Sequence, residues 1–189
     1  THTSGTVGAR GNNATGVTGV CWTIRLAGLK IGSATGSISV TSAASALDYC
    51  RGKGIRLSNH SWGGGGFSST LNTAISSART AGHLIIAAAG NGGADGIGDN
   101  NNTVPQYPAS YSQDNIIAVA AIDTSYVYLN GTSMATPHVT GVAALVWIRN
   151  PTFTYLQVRS RLLTTTRANA NLSGRCVTGG VLNAYNAVR

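Results

Sequence analysis

Two apolar runs, residues 84–89 and 115–122, constrain this chain more than any other feature. A strand with one wet face alternates apolar with polar residues, whereas a run without that alternation is buried on both faces, as in a parallel sheet covered by helices. Gly90 and Asn91 close the first run. Residues 39–53 place Val40, Ala43, Ala44, Leu47 and Cys50 at three- and four-residue steps, which predicts a helix stopped by Gly52 and Gly54. Residues 71–81 repeat that spacing with Ala74, Ile75 and Ala78. Residues 23–31 alternate through Ile24, Leu26, Leu29 and Ile31 and predict a short strand, and residues 55–61 form a further short run. Residues 136–148 are apolar on nearly all sides and predict a buried helix. Pro137 is tolerable in a first turn, which puts the start of that helix at about Thr132 or Ser133. The order of elements predicts an α/β fold with a mostly parallel sheet, interrupted by a long polar loop between Gly90 and Ser112.

A length of 189 residues suits one domain, residues 1–189, and 42% hydrophobic against 10% charged residues predicts a globular chain rather than a disordered one. The net charge of +8 is spread along the sequence. Its densest group, Arg149, Arg159, Arg161 and Arg167, lacks the interleaved aromatics of a nucleic-acid platform, so no nucleic-acid partner is expected. No stretch of eighteen apolar residues is present, so no membrane-spanning helix is expected, and residues 1–13 lack the apolar core of a signal peptide. Three cysteines, Cys21, Cys50 and Cys176, without zinc-type spacing predict one disulfide and a free thiol. With few lysines and a composition rich in Asn, Ser, Thr and Gly, they point to an extracellular, secreted protein.

Ser133 falls at the predicted N-terminus of the buried helix, where unpaired N–H groups and the positive end of the helix dipole would stabilise a developing oxyanion. On position alone, Ser133 or Thr132 reads equally as a helix cap. The surrounding residues decide between the two. Gly131-Thr132-Ser133-Met134-Ala135-Thr136-Pro137-His138-Val139 resembles the nucleophile motif of the subtilisin-like serine peptidases. Thr1-His2-Thr3-Ser4-Gly5-Thr6, the 59–64 segment Asn-His-Ser-Trp-Gly-Gly and Ala88-Ala89-Gly90-Asn91 are similar to other motifs of that family, in its order, so the resemblance covers nearly the whole chain.

The resemblance implies a parallel sheet with helices on both faces and a serine endopeptidase working through an acyl-enzyme. Ser133 would be the nucleophile, and the Asn91 amide with the Ser133 N–H would hold the oxyanion. It implies a substrate groove between two edge strands, Gly36, Ser37 and Ile38 on one side and Ser61, Trp62 and Gly63 on the other, with Ala88, Ala89 and Gly90 lining the pocket. The expected partner is an extended peptide or protein, bound by a monomer that needs no cofactor for its chemistry. A structural calcium is implied at the loop of Gly11, Asn13, Thr15 and Val17.

Three departures from the family are expected. Its catalytic histidine would stand two residues before Thr1, with His2 matching a later, noncatalytic position, and its catalytic aspartate farther upstream, so the sequence reads as truncated. Asp123-Thr124-Ser125 imitates the aspartate motif but follows a different strand. About thirty residues of the family are missing between Asp123 and Tyr126, a figure that rests on the spacing of the motifs. A chain without base and aspartate leaves two other readings open, a noncatalytic peptide-binding relic and a weak esterase.

Overall fold

The computed structural model describes residues 1–93, 98–122 and 131–189. Three parallel strands form the main sheet in the order β1–β2–β3, namely Leu57–His60, Leu84–Ala88 and Ile116–Val119. Leu57 lies beside Leu84, and Ile85 beside Ile116. Helix α1 spans His2–Gly8, α2 Val40–Gly52, α3 Ser69–Thr80, α4 Thr132–Arg149, α5 Tyr155–Thr164 and α6 Ala184–Val188. A two-stranded antiparallel ribbon, β4 (Arg167–Ala168) and β5 (Gly180–Val181), completes the chain.

All five residues of β2 are buried, as its unbroken apolar run predicts. Because successive side chains point to opposite faces, β2 serves two cores at once. Leu84 and Ile86 pack with Ile117, Val142, Val146, Trp147, Val158 and Leu162. Ile85 and Ala87 pack with Ala43, Leu47, Leu71, Ile75 and Tyr111 on the other face. Helices α2 and α3 therefore cover one face, and α4 and α5 the other. This is the α/β architecture with a parallel sheet that the sequence predicts.

The predicted helices at 39–53 and 71–81 appear as α2 and α3, capped by Ser39 and Ser68, whose hydroxyls accept from the N–H groups of Ser42 and Leu71. Val40 is exposed rather than on the inner face of α2. Asn115, at the head of the second apolar run, is fully buried and donates to the His83 carbonyl at 3.0 Å.

Residues 23–31 are not a strand. Their only neighbouring ladder contact is a single bridge between Gly32 and Ile38, and Leu26 and Leu29 are exposed. Alternation suits a pleat, but a strand forms only where a neighbour accepts its hydrogen bonds. Among the described residues β1 pairs only with β2, so no strand reaches residues 23–31. The cysteine expectation also needs correction: Cys21, Cys50 and Cys176 are all free, and burial pushes the Cys21 and Cys50 thiols up.

Helix α4 starts at Thr132, as expected, but for a different reason. Pro137 is its sixth residue and sits in the second turn. Proline has no N–H, so it leaves the carbonyl four residues earlier, that of Ser133, without its helical donor. Farther along, Gly141 lets Val20 approach: a Cβ at Gly141 would stand 2.5 Å from the Val20 Cβ. Gly141→Ala is expected to destabilise by about 1–3 kcal/mol despite the better helix propensity of alanine. Urea unfolding should show a lower midpoint at unchanged slope; a midpoint at or above wild type would show that Val20 gives way freely.

Candidate active site

The N-terminus of α4 meets the ends of β1 and β2. Gly131 is the helix cap, with φ 139° and no side chain to offer the first turn. Asn91 supplies the cap from outside the helix. Its Oδ1 accepts from the Thr132 N–H at 2.8 Å and from Thr132 Oγ1 at 2.9 Å. Thr132 Oγ1 in turn accepts from the Gly90 N–H at 3.2 Å. The direction of this chain is fixed, because an N–H only donates: Gly90 N–H to Thr132 hydroxyl to Asn91 Oδ1. With its oxygen doubly engaged, and with no acceptor for Nδ2 among the described residues, Asn91 has that amide as the end available to a ligand. A Cβ on Gly131 would stand 2.9 Å from Asn91 Oδ1, which explains glycine at this position.

The cap question is thereby answered: neither Ser133 nor Thr132 is the helix cap. Met134 N–H and Ala135 N–H bond to the Gly131 carbonyl, and the Thr132 N–H bonds to Asn91. Among the described residues no acceptor faces the Ser133 N–H, the remaining donor of the first turn. Ser133 Oγ lies 3.2 Å from the Ser61 carbonyl oxygen, to which it donates. No histidine among the described residues hydrogen-bonds Ser133. His2 is exposed on α1, and His138 is exposed with Nδ1 2.9 Å from the Met134 carbonyl. His60 and His83 are buried.

Ser61, Trp62 and Gly63 continue past the end of β1 rather than forming an edge strand. Ser61 bonds α4 in both directions, since its Oγ donates to the Ser133 carbonyl at 2.7 Å. Trp62 is half-buried against the α2–α3 core, 5.5 Å from the His60 ring. A Cβ on Gly63 would stand 3.3 Å from the Tyr107 oxygen and 3.8 Å from that of Ala88, so residues 63, 88 and 107 converge. Ala88 ends β2, and Ala89 and Gly90 carry the chain from it to Asn91. The Ala89 carbonyl accepts from Asn101 Nδ2 at 2.8 Å, and Gln106 packs on Gly90, where a Cβ would lie 2.9 Å from its Cγ.

The expected edge strand at Gly36, Ser37 and Ile38 is reduced to one bridge pair. Gly36, with φ 86°, turns the chain tightly enough for the Ser33 N–H to reach the Ser37 carbonyl. Ser37 and Ile38 border an open hollow of about 510 Å³ with Lys30, Ile31 and Ser42. Gly11, Asn13, Thr15 and Val17 lie in a turn where Asn13 Oδ1 accepts from the Thr15 N–H at 3.2 Å. They offer one amide oxygen and three carbonyls, against the six to eight oxygens of calcium, and Arg10 rather than a carboxylate lines the same hollow. Those residues alone do not make a calcium site.

Thr132, Asn59, Asn101 and Gln106 were not among the residues expected to act. Thr132 and Asn59 stand inside the 131–139 and 59–64 motifs, where only their positions in the sequence could have singled them out. Asn101 and Gln106 sit in the polar 90–112 loop and give no sequence signal. Asp123, Thr124 and Ser125, and the abrupt connection to Tyr126, lie outside the described residues.

Comparison with known proteins agrees with the motifs. The Subtilase family model matches residues 1–127 and 123–179. The chain is 37% identical to M-protease of Shouchella clausii (strain KSM-K16) over 221 positions, covering 100% of this chain and 54% of that protein. It is 36% identical to Subtilisin Savinase of Lederbergia lenta, covering 100% of this chain and 77% of that protein. The chain thus spans about half the length of M-protease. The first alignment is longer than the chain, so at least 32 of its positions have no residue of this chain opposite them. The two family matches meet at residues 123–127, where the motif spacing places the missing segment. Among solved structures, MycP1 with its N-terminal propeptide removed shares the fold, with a TM-score of 0.80 at 23% identity over 99% of this chain and 77% of that one. A protease of Pseudoalteromonas arctica gives a TM-score of 0.76 at 27% identity over 100% of this chain and 69% of that one. With a family model that matches almost from end to end and the nucleophile motif seated on a capped helix beside the Asn91 amide, the chain belongs to the subtilase family.

Proposed function

We propose that this chain carries the nucleophile and oxyanion site of a subtilisin-type serine endopeptidase. The observation that carries the reading is Asn91: Thr132 holds its Oδ1 at 2.8 and 2.9 Å, and among the described residues neither its Nδ2 nor the Ser133 N–H has an acceptor. Two N–H donors fixed before charge develops are what a tetrahedral oxyanion needs. Ser133 Oγ attacks the carbonyl carbon of an extended peptide as its proton passes to a base. The base returns that proton to the leaving amine when the C–N bond breaks, and water then hydrolyses the acyl-enzyme. The reading requires a histidine as base and a carboxylate to orient it, and no histidine among the described residues hydrogen-bonds Ser133. The chain acts as a monomer and outside the cell; a low lysine content accords with that location.

The test uses the full-length polypeptide that contains this chain, incubated with an organophosphorus serine reagent and with a peptide substrate. The reagent should add to the peptide bearing Ser133, and Ser133→Ala should abolish both labelling and cleavage. Folded full-length protein that takes no label at Ser133 would refute the endopeptidase reading.

A further inference from the structure

Ser133 has a carbonyl as well as a hydroxyl, and the carbonyl needs a donor that Pro137 does not give. Ser61 Oγ provides it at 2.7 Å. A serine hydroxyl has one proton, so something must keep that proton directed at Ser133. Asn59 Nδ2 donates to Ser61 Oγ at 2.8 Å, filling the oxygen's acceptor side and leaving its hydrogen for the Ser133 carbonyl. The amide of Asn59 is itself oriented from α4: Thr140 Oγ1, buried two turns beyond Ser133, lies 2.9 Å from Asn59 Oδ1. The relay runs from Thr140 to Asn59 to Ser61 to Ser133. It begins and ends on α4, with β1 and the residue after it between.

We propose that Asn59 is a positioning residue for the nucleophile, acting through Ser61 on the carbonyl that Pro137 orphans. The proposal rests on the reading of Ser133 as nucleophile. The same relay holds Ser61, whose carbonyl accepts the Ser133 hydroxyl at 3.2 Å, so a lost Asn59 amide releases both ends of the Ser61–Ser133 pair.

Asn59→Asp is the informative variant. A carboxylate still accepts from Thr140 but cannot donate to Ser61, and it competes with the Ser133 carbonyl for the single Ser61 proton. In the full-length protein it should slow labelling of Ser133 by an organophosphorus reagent about tenfold to a hundredfold per folded molecule, with KM for peptide changed less than about twofold. Pro137→Ala restores an N–H for the Ser133 carbonyl. In that background Asn59→Asp should cost less than about threefold. Amide hydrogen exchange in residues 131–136 gives a second readout independent of activity. It should rise in Asn59→Asp and return toward wild type in the double variant, while α5 stays unchanged. Equal costs of Asn59→Asp in both backgrounds, or unchanged exchange at 131–136, would overturn the role of Asn59. Wild-type protein that takes no label would instead overturn the nucleophile reading, and the exchange measurements would still decide on Asn59.

Discussion

In the full-length polypeptide Asn91→Leu is expected to lower kcat by about two to three orders of magnitude, with KM changed by less than about twofold; subtilisin itself supplies that scale for the loss of one oxyanion donor. The two ends of the amide do different work. Oδ1 caps α4 through the N–H and hydroxyl of Thr132, so the leucine also strands two donors and costs about 1–3 kcal/mol of stability. Activity must therefore be expressed per folded molecule. Asn91→Asp separates the two jobs. Its carboxylate keeps both bonds from Thr132 but presents negative charge where the oxyanion forms, so it should retain the fold and lose at least as much activity as the leucine. An aspartate variant within about tenfold of wild type would show that Nδ2 plays no part in the chemistry.

Those two jobs also show how much was legible in the sequence. The run from Leu84 to Ala88 declares a strand buried on both faces because no polar residue interrupts it, and β2 lies between the two cores. Residues 23–31 carry an equally plain alternation and form no strand, because pairing depends on a neighbour that local pattern does not encode. The start of the buried helix at Thr132 or Ser133 was legible too, since α4 begins at Thr132. What the sequence does not display is the wiring: Asn91 capping a helix 41 residues away, Asn59 meeting Thr140 across 81 positions, and Asn101 reaching the Ala89 carbonyl. These are hydrogen bonds between polar residues that, read locally, are turn formers or surface groups. Pro137 marks a helix start in the sequence, yet its consequence lies in the carbonyl it leaves for Ser61.

Two buried histidines, His60 at the end of β1 and His83 just before β2, lead to the other large effect, acid sensitivity. His83 Nδ1 lies 2.7 Å from the Ile55 carbonyl, which only accepts, so Nδ1 carries the proton and the neutral ring's Nε2 is an acceptor. Ser58 Oγ, 2.7 Å away, donates to it and accepts from His60 Nε2 at 2.8 Å. The wire ends at His60 Nδ1, an acceptor buried without a partner among the described residues. Charging His60 would put an N–H there with nothing to receive it. Burial, with a smaller contribution from His83, lowers the His60 pKa to about 3, and burial lowers that of His83 against the opposing bond to Ile55. Both rings are therefore neutral in the fold, while the unfolded chain takes up protons below its ordinary histidine pKa of about 6.5. The unfolded state binds more protons throughout that window, so stability is full above about pH 6.5 and is lost as pH falls toward 3. His60 alone should remove about 2 kcal/mol between pH 7 and pH 5. Carboxylates interfere little there, since the chain has no glutamate and Arg79 holds Asp114 down to about 2. His60→Leu removes the orphaned acceptor and leaves the Ser58 bond to His83 in place. Urea unfolding should find it within about 1 kcal/mol of wild type at pH 7 and clearly more stable at pH 5, with one proton fewer taken up on unfolding. Parallel stability curves for the two proteins from pH 7 to pH 5 would show that His60 is not what acid attacks.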